Sequence, residues 1–181
     1  MSVLNIAMFG SDELAKEIAK ATDQRDVHTY VHKEADADGP RILSIIRPAK
    51  FPERLRPFLN ALSAAVVGMV EITKIDATLG EVVVAFASAG IDKGLVIINP
   101  PQGEWVDEDQ VKMIFKQAGL GNWSFEGNDG IDLRAKLYDL MDQVSTDLKA
   151  IQQAPLVLPI DQHFNVKGIG LVAIGYVQSG T

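Results

Sequence analysis

Val3-Leu4-Asn5-Ile6-Ala7-Met8-Phe9-Gly10 is followed directly by Ser11-Asp12-Glu13-Leu14-Ala15-Lys16-Glu17, and the reading of this junction decides the fold. The first stretch is an apolar strand. The second opens a helix, with Ser11 or Asp12 as its cap and Leu14, Ile18 and Ala21 turned inward, and the spacing predicts a helix over residues 12–21. A strand, a glycine turn and a helix make the frame of a phosphate-binding loop, whose pattern is Gly, four residues, Gly, Lys, then Ser or Thr. Gly10 and Lys16 stand at that spacing. The second Gly is replaced by Ala15, and the magnesium-ligating Ser/Thr by Glu17, whose carboxylate would repel phosphates. The frame is kept and its chemistry is lost.

Working outward, strands and helices alternate. Val27–His32 reads as a short, half-polar edge strand, residues 34–39 as a turn, and Arg41–Ile46 as a strand ended by Pro48. Pro52 reads as the start of a helix with Leu55, Phe58, Leu59 and Leu62 on its apolar face, kinked or shortened by Pro57. Ala64–Val70 and Gly94–Ile98 are continuous apolar runs, as in strands buried on both faces. Thr78-Leu79-Gly80-Glu81 reads as a capping box, Asp107–Gln110 as the cap of a helix ending near Gly119, Trp123–Phe125 as a short strand, and Asp129–Asp132 as the start of a helix running to about Ile151. This order predicts an α/β fold, a mostly parallel sheet with helices on both faces. Pro155 marks a boundary: residues 1–154 form the α/β domain, and 155–181 contribute two strands, Leu156–Ile160 and Gly168–Val177. Their two apolar faces need partners outside a lone hairpin, either later residues of a longer chain or a second molecule, with self-association as one consequence.

The 181 residues contain no cysteine, which excludes disulfides and thiolate chemistry, and 47% are apolar, enough for a sizeable core. No apolar run is long enough to span a membrane and no leader is visible, so a cytoplasmic home is expected. The net charge of −7 opposes unspecific nucleic-acid binding. Against it stands a local basic cluster of Arg41, Arg47, Lys50, Arg54 and Arg56, offset by Glu53. It reads either as a solvated face that pairs with the acidic loop at 34–38, or as a docking surface for phosphate-rich RNA. His28 and His32 read as strand residues rather than as a metal pair, and no metal site is expected. Trp105, in the acidic run 104–109, reads as a packed loop anchor, with a partner contact as the alternative.

Residues 158–180, Leu158-Pro159-Ile160-Asp161-Gln162-His163-Phe164-Asn165-Val166-Lys167-Gly168-Ile169-Gly170-Leu171-Val172-Ala173-Ile174-Gly175-Tyr176-Val177-Gln178-Ser179-Gly180, resemble the opening of the second, β-barrel domain of translational GTPases, in particular the selenocysteine-specific SelB-type elongation factors. The element order ahead of them resembles the GTPase domain of that family. The resemblance implies a P-loop GTPase-like domain, the first strands of a barrel, and tRNA or the ribosome as partners. It also sets the family's motifs against this chain. Asp-x-x-Gly falls on Arg47-Pro48-Ala49-Lys50, with Phe51 in place of the catalytic His. Asn-Lys-x-Asp falls on Asn99-Pro100-Pro101-Gln102, and Ser-Ala-Lys on Ser124-Phe125-Glu126, followed by Gly130-Ile131-Asp132. The loop at 33–40 is too short for the first switch. The resemblance therefore implies a degenerate GTPase, not an enzyme and with no GTP or magnesium cofactor. Gly10, Lys16 and Asn99 remain of the nucleotide site, and Arg47, Lys50, Arg54 and Arg56 are candidate RNA or partner contacts. Two alternatives stay open: a GTPase that binds through non-standard residues, and a structural module that uses the former switch face. Lys16 also has a plain reading as a surface lysine paired with Asp12.

Overall fold

The apolar runs become the centre of a seven-stranded sheet in the computed structural model, with strand order β2-β3-β4-β1-β5-β6-β7. The strands are β1 Ser2–Phe9, β2 Lys20–Gln24, β3 Val27–Glu34, β4 Arg41–Pro48, β5 Val67–Ile72, β6 Gly94–Ile98 and β7 Ser124–Glu126. The helices are α1 Asp12–Ile18, α2 Leu55–Ala64, α3 Ala77–Ser88, α4 Glu108–Gln117 and α5 Gly130–Gln153. The structure describes residues 2–25, 27–37, 39–175, 177, 179 and 180, with backbone only at 145–150, 152 and 161. Asp38 of the acidic loop, and Tyr176 and Gln178 of the C-terminal motif, lie outside the described residues.

β4, β1, β5, β6 and β7 run parallel, so their carboxyl ends share one edge of the sheet. β2 and β3 add an antiparallel flank to β4. α2, α3 and α4 pack Phe58, Leu62, Val82, Phe86, Val111 and Phe115 into one core layer around Trp123. Leu14 and Ile18 of α1, and Leu133 and Leu137 of α5, are buried outside that layer, with helices on both sides of the sheet as the alternation predicts. Two compact units result, Met1–Met141 and Asp142–Thr181, and the division falls inside α5. In the second unit β8 Ile160–Val166 and β9 Gly170–Gly175 form an antiparallel hairpin, extended by a bridge between Val157 and Ser179. Ile160, Phe164, Leu171 and Ile174 are exposed on it. No helix among the described residues is long and apolar enough to cross a membrane.

Several local expectations change. The helix expected over 12–21 stops at Ile18, and Lys20–Gln24 leaves it as β2, which pairs with β3. β3 is therefore not an edge. Arg134 closes the short helix by donating from Nε to the Ile18 carbonyl at 2.7 Å and from Nη2 to the Glu17 carbonyl at 2.9 Å. The cap of α3 is Asp76, which accepts from the Leu79 N–H, and not Thr78, which lies inside the helix. Pro57 sits in the first turn of α2, where its missing N–H has no helical partner to lose, so it causes no break. The first strand of the hairpin begins at Ile160, later than the predicted Leu156–Ile160.

Candidate functional site

β1 ends at Phe9 and α1 begins at Asp12, so only Gly10 and Ser11 make the turn. Ser11 caps the helix: its Oγ accepts from the Leu14 N–H at 3.2 Å. Its own N–H donates at 2.6 Å to Oε2 of Glu71, near the end of β5. Glu71 is the one buried charged residue among the described residues, 5% exposed. Its other oxygen, Oε1, accepts from Asn99 Nδ2 at 2.7 Å, and Asn99 Oδ1 accepts from Asn128 Nδ2 at 3.1 Å. A carboxylate held by two donors and shielded from water is a strong, charge-assisted arrangement. Gly10 is required by this packing: a Cβ there would lie 2.9 Å from Glu71 Cβ and 3.0 Å from its Oε2. Its φ is not in the left-handed region, so the space and not the turn demands glycine.

Lys16 lies in the last turn of α1, ion-paired with Asp12 and half exposed, as its plain reading expected. It is four residues into the helix, not at its head. Arg47, at the end of β4, turns inward and donates from Nε to the Gly10 carbonyl at 2.6 Å. Its Nη1 lies 3.5 Å from His28 Nδ1, which is 3.9 Å from an Asp12 oxygen. Asp12 also accepts from the Tyr30 hydroxyl. A continuous polar chain thus runs along the carboxyl edge of the sheet, from Asn128 through Asn99, Glu71, the Gly10–Ser11 turn and Arg47 to His28 and Asp12.

The pair at its end has a measurable consequence. Burial, and then the Asp12 carboxylate, push the Tyr30 hydroxyl up to about 12. Because the folded value lies above the usual value of 10.0, the stabilisation is fully present below that value and is lost as pH rises through about 12. Tyr30→Phe should flatten that alkaline loss relative to the parent chain, read as the difference between their melting temperatures across the window. The Lys16 ammonium, followed by the Tyr30 hydroxyl, holds Asp12 below the usual carboxylate range, so an acid limb is expected as well.

Of the five cations in the basic cluster, Arg41 and Arg47 are turned back onto the protein. Arg41 donates to the Tyr138 carbonyl at 3.1 Å and lies over the Tyr138 ring. Lys50, Arg54 and Arg56 are exposed on the turn before α2 and its first turn. Lys50 takes a left-handed φ of 58°, and its carbonyl accepts from the Arg54 N–H at 2.8 Å. Phe51 packs against Phe58, with ring centroids 4.5 Å apart and the planes tilted by 46°, and fixes the turn. Trp105 is 80% exposed, which overturns its reading as a packed anchor. His32 is bonded through Nδ1 to the Tyr138 hydroxyl at 2.9 Å, away from His28, and no group of three or more metal-ligating residues occurs among the described residues.

The stretches set against the nucleotide motifs share the same edge. Residues 10–17 follow β1, 47–50 end β4 and 99–102 follow β6, while β7 carries 124–126. This is where open parallel sheets bind ligands. Solved structures share this fold: a bacterial selenocysteine-specific elongation factor superposes with a TM-score of 0.60 at 19% identity, over 99% of this chain and 35% of its own. The fold is that of the SelB-type elongation factors. SelB from Methanococcus maripaludis, solved with the GTP analogue GppNHp, gives 0.57 at 17% identity, over 99% of this chain and 43% of its own. An uncharacterised protein of Methanocaldococcus jannaschii is 29% identical over 182 residues. The chain spans 54% of that relative's length. No family model matches. The SelB-like fold accounts for the shared edge, and Glu71, at its centre, is the site residue that the sequence reading misses.

Proposed function

We propose that this chain is part of a SelB-like translation factor whose α/β unit works as a scaffold without nucleotide, in a protein that acts with aminoacyl-tRNA or the ribosome. One observation carries the reading: the Glu71 carboxylate occupies the turn between β1 and α1. In a phosphate-binding loop the backbone N–H groups at this turn face the phosphates. Here the Ser11 N–H is given to Glu71 and the Leu14 N–H to Ser11 Oγ. A phosphate brought to the turn would meet Glu71 as a buried like charge, with Asp12, Glu13 and Glu17 on the same short helix. Arg47 stands where the resemblance expects the residue that orients magnesium, and it is committed to the Gly10 carbonyl. These residues do not suit a nucleotide with magnesium. Asn99, the one survivor of the base-reading motif, serves Glu71 instead.

Calorimetric titration of GTP and GDP into the purified chain, with and without magnesium, tests this. The expected result is no heat and no change in melting temperature. Ligand at about 100 times its Kd would add about 2.7 kcal/mol of stability, an easily read shift. Micromolar binding strengthened by magnesium would establish the surviving GTPase instead.

A further inference from the structure

We infer that the outer face of α2 and the turn before it form a docking site for an amphipathic segment of a partner protein, apolar along one ridge and flanked by carboxylates. The inner face of α2 is spent on the core, through Pro57, Phe58, Ala61 and Leu62. The outer face should then be polar, yet Leu55 is 56% exposed and Leu59 is 49% exposed. Four residues apart on a helix, they form one ridge. Lys50, Arg54 and Arg56 flank it, against Glu53. The surface is therefore apolar at its centre and cationic at its rim, in a protein whose net charge is −7.

That composition decides between the two classes of partner open to the basic cluster. Phosphate-rich RNA would answer the cations and leave the leucines wet. Single-stranded bases are held by stacking on exposed aromatic rings, and the aromatic ring at this turn, Phe51, is half-buried against Phe58 and Phe9. A helix with an aliphatic ridge covers Leu55 and Leu59, and acidic residues beside the ridge complement the rim. The anchored Phe51 and the turn closed by the Arg54 N–H on the Lys50 carbonyl hold the surface in place before binding. The site goes beyond the scaffold reading and stands whether or not nucleotide binds, so the titration above and the test below fail independently.

The test uses the 181-residue chain and three labelled probes: a synthetic peptide of about 18 residues with leucines four apart and glutamates beside them, the same peptide with lysines for glutamates, and homouridine RNA. By fluorescence anisotropy the glutamate peptide should bind at least about tenfold tighter than the lysine peptide. Leu55→Ser with Leu59→Ser should weaken it by about tenfold or more, with the circular dichroism spectrum unchanged because both side chains are exposed. Lys50→Glu, Arg54→Glu and Arg56→Glu together should invert the order of the two peptides. No binding of the glutamate peptide, or binding that survives the leucine changes, overturns the proposal. RNA that displaces the peptide, and binds the leucine variant as well as it binds the parent, assigns the cations to nucleic acid and overturns it too.

Discussion

Glu71→Gln should destabilise the chain by about 2–3 kcal/mol although it changes hardly any volume, because a charged acceptor is lost and a buried donor is opposed. The carboxylate accepts on both oxygens, from the Ser11 N–H and from the Asn99 amide. A glutamine has one oxygen. In either orientation its NH₂ faces one of those donors, so one bond is lost and two donors are pressed together out of water. Glu71→Ala leaves both donors unpaired and opens space beside Gly10 and Met8, so it should cost at least as much. For a chain of this size, 2–3 kcal/mol corresponds to a fall of roughly 4–12 °C in melting temperature. Differential scanning calorimetry of the two variants reads it directly. A Glu71→Gln protein that melts within a degree of the parent would show that the carboxylate is not the hub of the polar chain. If its loss also let GTP bind, the scaffold reading would gain a cause: a carboxylate that excludes phosphate.

Gly68→Ala should cost about 3 kcal/mol, at the upper end of what one added methyl does in a packed core. A Cβ at Gly68 would lie 2.1 Å from Cη2 of Trp123 and 2.8 Å from Cε1 of Phe86. The indole has nowhere to retreat. Its Nε1 donates to the Ile91 carbonyl at 3.2 Å, and the Phe86 and Phe115 rings stand at 5.1 and 5.4 Å. Gly94 makes room on the next strand, where a Cβ would meet the Gly68 carbonyl at 2.6 Å. β5 and β6 thus give up two side chains so that one tryptophan can lie across them. Trp123→Ala should cost about 3–5 kcal/mol by emptying that space. The two changes share a volume, so Gly68→Ala with Trp123→Ala should fall short of the sum of the single losses in denaturant unfolding. Strict additivity would mean that the sheet shifts to relieve the clash.

The fold was legible where the pattern is two-sided. The apolar runs at 64–70 and 94–98 carry β5 and β6, and only the middle of a covered parallel sheet uses strands that are apolar on both faces. β2 was illegible for the opposite reason. Lys20-Ala21-Thr22-Asp23-Gln24 is polar and alternates weakly, and its strand state comes from pairing with β3. The spacing of Gly10 and Lys16 was visible, but spacing does not say where the helix begins. With α1 starting at Asp12, the lysine is carried a turn past the place where a phosphate would sit. Glu71 left a signal that went unread: one charge inside the apolar run 66–72, where an unpaired carboxylate would be costly. Asn99 and Arg47 could be placed by motif, but their partners lie on other strands and become visible only when the sheet is assembled.

The margins of that sheet bear on how such molecules meet. At one side β7 is three residues long. At the other, the register of β2 against β3 slips between Ala21 and Asp23, and Lys20, Asp23 and Gln24 stand along it. A short border and a crooked, charged one are poor templates for another strand. A second molecule that approaches the α/β unit finds poor borders for strand addition on both sides, so recognition there falls to side chains.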